Sequence, residues 1–221
     1  MFIDVNNVRL FYTKEGSGAP LVMVHCNSMD HKIFSSAVKL LRERFTVYCL
    51  DSRDHGKSSK VKTLHYEDMA EDVYQFITKL GLEKPLFYGF SDGGIIGLLL
   101  ASSHPDLLSK MIISGASLNP DSTKPLPMAF FKLWSHVDRS DKMQIMMREP
   151  DITDEILKAV TVPVFVTAGS RDVIKSDHTV HIAETIPNAR LKIFDGASHT
   201  SYIMKSTKIA EYILSVTEDI K

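Results

Sequence analysis

Ser91 stands between glycines placed two residues to either side, in Gly89-Phe90-Ser91-Asp92-Gly93, and this is where residue type and spacing point most directly to chemistry. The pattern G-x-S-x-G lifts a serine hydroxyl on a sharp strand-to-helix turn. Neighbouring backbone crowds such a turn so closely that only glycine fits on either side. The first amides of the following helix lack partners and point at the same spot. The pattern by itself also fits a glycine-rich turn without chemistry, so partners are needed. A serine hydroxyl attacks only when a base takes its proton, and that base works best when a carboxylate fixes its tautomer. Asp172 lies five residues beyond the apolar run Val162–Thr167, and His199 five beyond Leu191–Phe194. The order Ser91, Asp172, His199 is the one expected when the elbow is real. Asp195 is a rival acid, but it stands only four residues before His199 and reads as a turn residue.

These residues need a scaffold, and the apolar pattern supplies one. Phe2–Val5 and Val8–Tyr12 read as a hairpin around Asn6-Asn7. Gly16–Pro20 reads as a loop, followed by buried strands over Leu21–Val24 and Phe45–Leu50. Helical spacing covers Ile33–Arg42 and Asp68–Leu80. Pro85–Phe90 is a strand running into the serine turn, the apolar run Ile95–Ala101 is helical, and Lys110–Ser114 is a further strand. Between Ala116 and Val160 the rhythm breaks at Pro120, Pro125 and Pro127, leaving an aromatic helix over Met128–Val137. Met143, Met146 and Met147 mark a second helix, and Thr153 caps a third. Asp177–Ile186 and the stretch holding Ile209, Tyr212, Ile213 and Val216 complete the helices. Strand–helix alternation predicts a mostly parallel eight-stranded sheet with helices on both faces, and a small helical lid after the sixth strand. The expected organisation is one domain over 1–221, with the lid at about 116–160.

Composition excludes some functions. A net charge of −1 over 221 residues gives no electrostatic reason for nucleic acid or an anionic membrane as partner. No apolar run approaches the ~20 residues of a spanning helix, and no signal peptide is evident. Cys26 and Cys49 lack metal-type spacing and read as free thiols in a reducing, cytoplasmic compartment. Gly56-Lys57-Ser58 fails as a phosphate loop because Asp51 stands where its first glycine belongs. His178 and His181 share a helix face without further ligands and read as surface histidines rather than a metal site.

The chain resembles the α/β-hydrolases of compact, lidded type, which include esterases, lactonases, perhydrolases and carbon–carbon bond hydrolases. The likeness rests on His25-Cys26-Asn27, Asp51-Ser52-Arg53-Asp54-His55-Gly56-Lys57-Ser58, Gly89–Gly94, Gly169-Ser170-Arg171-Asp172 and Gly196-Ala197-Ser198-His199. Its Gly-x-Ser-Asp-Gly-Gly form is similar to the valacyclovirase-like esterases. The resemblance implies Ser91 as nucleophile, His199 as base and then acid, and Asp172 as the orienting carboxylate. It also implies an oxyanion hole from the backbone N–H groups of Asn27 and Asp92, and no metal or organic cofactor. Relatives usually carry glycine where this chain has Cys26 and Asp54. The expected activity is cleavage of small or medium carboxylic esters through an acyl-serine. Lactonase, perhydrolase, carbon–carbon hydrolase and a ligand-sensing receptor use the same residues. Phe130, Phe131, Trp134 and the methionines are expected to wall the acyl pocket. The Asp92 carboxylate either favours substrates bearing an amino group or serves the N-terminus of its own helix. The expected partner is a small molecule, and the oligomeric state stays open.

Overall fold

A computed structural model describes residues 1–220. Strands β1 (Phe2–Val5) and β2 (Val8–Glu15) form the expected hairpin. Asn6 and Asn7 both take positive φ (42° and 62°), as a two-residue turn matched to strand twist requires. β3 (Ala19–Val24), β4 (Phe45–Leu50), β5 (Leu86–Phe90), β6 (Lys110–Ser114), β7 (Val164–Arg171) and β8 (Ala189–Ser198) follow. The eight strands are ordered β1-β2-β4-β3-β5-β6-β7-β8, with β1/β2 and β2/β4 antiparallel and the remaining pairs parallel.

The helices are α1 (Ser35–Leu41), α2 (Tyr66–Lys79), α3 (Asp92–Ser103), α4 (Pro125–Ser135), α5 (Asp141–Arg148), α6 (Asp154–Lys158), α7 (Ser176–Thr185) and α8 (Lys208–Val216). Two apolar layers sandwich the sheet because side chains alternate along each strand. Val22, Val24 and Phe87 pack toward α2 and α3, whereas Leu21, Met23, Tyr88 and Phe90 pack toward α1 and α8. α3 is buried along nearly its whole length, which explains why its sequence shows no polar stripe.

Several boundaries differ from the sequence reading. Ala19 and Pro20 belong to β3 rather than to a loop, and the predicted Ile33–Arg42 helix opens as a 3₁₀ turn over His31–Phe34. β7 and β8 run on to Arg171 and Ser198, so Asp172 and His199 each follow their strands directly. Gly169, which looked like a loop residue, serves the pairing instead. A Cβ on Gly169 would lie 2.2 Å from the Ala197 carbonyl oxygen, so only glycine permits this approach. Asp195 is thereby a strand residue, exposed, with its carboxylate near the Ser170 hydroxyl. The chain between β6 and β7 carries α4, α5 and α6.

Candidate active site

The strand order reverses between β3 and β5, and in open α/β sheets ligands bind beyond the C-terminal strand ends at such a point. Ser91 follows β5 there, with φ 53° and ψ −109°, a conformation that surrounding contacts must hold. Its N–H donates to the Ser114 carbonyl of β6 (2.8 Å), and its carbonyl accepts from Gly94 N (2.8 Å) and Ile95 N (3.1 Å). The flanking glycines are required by contact: a Cβ on Gly89 would lie 2.1 Å from the Gly93 carbonyl oxygen, and one on Gly93 2.1 Å from that of Val24. The Ser91 hydroxyl does not cap α3, so it is not spent on the helix.

His199 Nδ1 lies 2.7 Å from Asp172 Oδ1, donating to it. Asp172 is buried, and its Oδ1 also accepts from Ile174 N (3.0 Å). Burial pushes its carboxyl up, but the bond and charge of His199 and the amides of Ile174 and Gly169 together hold it below the usual range. With Nδ1–H committed to the carboxylate, Nε2 is the free base nitrogen. Phe90 packs against the imidazole at 4.9 Å between ring centres. Gly115 (φ +58°) closes the other side, where a Cβ would come within 2.6 Å of His199 Cε1. Ser91 and His199 line one cavity of about 570 Å³, though no hydrogen bond joins them in the described residues. Such bonds are often long without substrate and tighten when it binds.

Asn27 and Asp92 line the same cavity, and neither N–H pairs with a backbone carbonyl among the described residues. Asp92 opens α3, where a helix leaves its N–H unpartnered. The loop after β3 is held by His25, whose Nδ1 donates to the Cys26 carbonyl (2.7 Å) while Nε2 accepts from Ser52 N (3.1 Å). Burial lowers the pKa of this imidazole, which serves as a neutral staple between strand ends. Cys26 lines the cavity, but burial pushes its thiol up to about 12, leaving no thiolate for chemistry. Cys49 is likewise free and pushed up to about 12 by burial.

The Asp92 side chain is buried and does more than serve its helix. Its Oδ2 accepts from Asn27 Nδ2 (3.0 Å), and Asn27 Nδ2 also donates to the Lys142 carbonyl of α5 (2.9 Å). Burial pushes the carboxyl up to about 6, against the pull of Asn27 and Tyr66. Glu149 lines the cavity nearby, and its Oε2 accepts from Tyr66 N (3.1 Å). Among the described residues no lysine or arginine lines this cavity.

The insertion walls the cavity with Met128, Phe131, Met143, Met146 and Met147. Phe130 and Trp134 correct the sequence reading: they stack on each other on the exposed side of α4 and line no part of the cavity. His178 is also corrected. It is half-buried and accepts from Leu118 N through Nε2 (2.9 Å), with burial lowering its pKa to about 4. His181 is exposed and meets Asp154 at 2.8 Å.

The loop after β4 is structural. Asp51 accepts from His31 N (2.8 Å), His31 Nδ1 (2.7 Å) and Lys57 N (2.9 Å), so the acidic cluster Asp30–His31–Asp51 is occupied with its own hydrogen bonds. Arg53 forks onto Asp72 at 2.7 and 2.6 Å. Asp54 has φ 63°, a left-handed conformation that aspartate tolerates. Its carboxylate is used by Lys142 at 3.0 Å. Local patterning gave no signal for the Asn27, His25 and Gly115 contacts, because each depends on residues brought together only by the fold.

A family model described as the alpha/beta hydrolase fold matches residues 19–143. A putative esterase/lipase of Haemophilus influenzae is 23% identical, over 87% of this chain and 81% of that protein. Seven other curated relatives, 26–32% identical, are covered over less than half of their own length. Among solved structures, a bromoperoxidase from Bacillus anthracis superposes with TM-score 0.86 at 20% identity, covering 97% of this chain and 98% of that one. An esterase from Exiguobacterium antarcticum gives 0.82 at 25% identity, covering 98% of both. The matched model spans more than half of the sequence, and the chain belongs to the alpha/beta hydrolase fold family.

Proposed function

We propose that this α/β-hydrolase-family enzyme cleaves small or medium carboxylic esters through an acyl-serine intermediate. The observation that carries the proposal is the pairing of His199 Nδ1 with buried Asp172, in the cavity that also holds the strained, uncapped Ser91. Ser91 Oγ attacks the ester carbonyl while His199 Nε2 takes its proton. The negative oxygen is met by the N–H groups of Asn27 and Asp92. The imidazolium, steadied by Asp172, then protonates the departing alcohol and leaves acyl-Ser91. Water, deprotonated by the same imidazole, attacks the acyl group, releases the acid and restores Ser91. Losing one oxyanion donor costs a factor of roughly 10²–10³ in turnover.

Residues 116–160 act as the lid. Its methionines form an adaptable apolar wall suited to short and medium acyl groups rather than to one rigid shape. Lactone opening and perhydrolysis use the same acyl-serine logic, and fold alone does not choose among them. The discriminating experiment is a series of p-nitrophenyl esters of increasing acyl length on wild type and Ser91→Ala. Turnover lost by roughly 10⁴-fold or more in the variant supports the enzyme. Tight binding with negligible turnover supports a ligand-sensing receptor instead. A preference for amino-bearing acyl groups is a second reading, favoured by Asp92 and Glu149 in a cavity without cationic lining. Asp92→Asn should remove that preference, and an unchanged ratio of amino to plain esters would reject it.

A further inference from the structure

α4 has two apolar faces, of which the fold uses one. Met128 and Phe131 turn inward to the cavity. Leu126, Phe130, Leu133, Trp134 and, just beyond the helix, Val137 are 85%, 60%, 71%, 46% and 71% exposed. Spacings of four, three and four residues from Leu126 to Phe130, Leu133 and Val137 place them on one side, with Trp134 beside them. Five of the ten exposed large hydrophobic residues in the described chain therefore gather on this short segment. An apolar stripe this concentrated marks a contact surface.

The surrounding charge indicates what it contacts. The chain as a whole is balanced, with 26 Lys and Arg against 27 Asp and Glu. Along the stripe the balance tips toward positive: Lys132 and Arg139 stand against one acid, Asp138, the helix itself contains no Asp or Glu, and Lys124 is turned away onto the Asp172 carbonyl. Asp138 is partly occupied by the Ser140 amide at 2.9 Å. Lys132, His136 and Arg139 are exposed. A helix exposing Leu, Phe and Trp, with exposed Lys132 on it and Arg139 just beyond it, fits the boundary of an anionic bilayer, where the apolar face enters the acyl region and cations stay at the headgroups. No helix among the described residues is long and apolar enough to cross a membrane, so the contact is made by lying on the surface.

We propose that the outer face of α4 docks on an anionic lipid surface, setting the cavity behind Met128 and Phe131 against it. A second copy of the chain would also cover apolar surface, but an isologous contact would bring the same cations together, whereas anionic lipid neutralises them.

Trp134 is the sole tryptophan, so its emission reports directly on the stripe. The full chain is titrated with phosphatidylcholine vesicles made with and without phosphatidylglycerol, and binding is checked by flotation. The expected result is a saturable blue shift with co-flotation, roughly tenfold tighter on the anionic vesicles and weakened by salt. Leu126→Glu with Leu133→Glu should abolish both signals while leaving hydrolysis of a soluble ester unchanged. Lys132→Gln should reduce the anionic preference without removing the apolar stripe. No shift on either vesicle, or equal binding to both, overturns the proposal. So does a blue shift that needs only protein concentration and accompanies a doubled mass in light scattering, which assigns the face to a second copy.

Discussion

Gly115 carries no chemistry, but its missing side chain decides where the proposed base can stand. A Cβ there would lie 2.6 Å from His199 Cε1 and 2.8 Å from Nδ1, against a ring already tied to Asp172. The imidazole could yield only by moving away from its present position. Gly115→Ala is therefore expected to lower kcat on a soluble ester by roughly 10²-fold with little change in KM, since a displacement of about 1 Å has that effect. Steady-state kinetics with far-UV circular dichroism check it, and unchanged kcat in a folded variant would contradict it. The contrast with Ser91, Asp172 and His199 shows what a sequence makes legible. Their residue types and order pointed to chemistry before any coordinates, whereas Gly115 matters only through contact with a residue 84 positions away. Asp54 is similar: substitution of an expected glycine was visible, but its left-handed φ of 63° and its bond to Lys142 were not.

At the scale of elements, α5 is the fixed wall of the insertion and α4 the loosely held one. α5 is latched to the core by Asn27 on the Lys142 carbonyl, Lys142 on Asp54, and Asp141, which accepts from the buried Leu64 N–H. Arg148 pairs with both Asp141 oxygens at 3.0 and 2.9 Å and donates to the Leu64 carbonyl at 2.6 Å. The Arg148 bond is the main reason Asp141 stays below the usual carboxyl range. α4 has no buried residue. Asp141→Ala strips the Leu64 amide of its acceptor and should cost about 1–2 kcal/mol, read as a lower urea midpoint with faster proteolysis between β6 and β7. An unshifted midpoint would show that the latch is energetically idle. Sequence periodicity located α4 and α5, because apolar spacing encodes a helix directly, whereas α6 was read from Thr153 as its cap and the 3₁₀ turn over Pro120–Ser122 gave no such signal. It misassigned Phe130 and Trp134 because a helix with two apolar faces gives no local sign of which one is covered. Strand ends were misjudged for a related reason: Gly169 marks a close backbone approach rather than a loop, and at Gly196 the strand runs on through a left-handed φ of 67°.

Over the whole molecule, buried histidines shape the response to acid. His55 is buried, donates Nδ1–H to the Arg53 carbonyl at 2.9 Å and leaves Nε2 without a partner. Burial first, and the neighbouring His25, lower its pKa to about 4. Because this folded value lies below the ordinary 6.5, the unfolded chain binds more protons between the two. Stability is therefore full above about pH 6.5 and falls as pH drops toward 4, by on the order of 3 kcal/mol from His55. His25 and His178 act in the same direction. Asp92, raised to about 6, acts in the opposite one, because its folded form holds a proton that the unfolded form has lost. Asn in place of His55 can keep a donor to the Arg53 carbonyl without the titration, so His55→Asn should flatten the acid limb of urea midpoints measured from pH 4 to 7. An unchanged slope would contradict this assignment. The chemistry assigned to the fold rests on one nucleophile, and the most direct test is reaction with a fluorophosphonate followed by peptide mass spectrometry. The account predicts a single adduct on Ser91, absent from Ser91→Ala and formed far more slowly in His199→Ala. An adduct on another residue, or none on the folded wild-type protein, would contradict it.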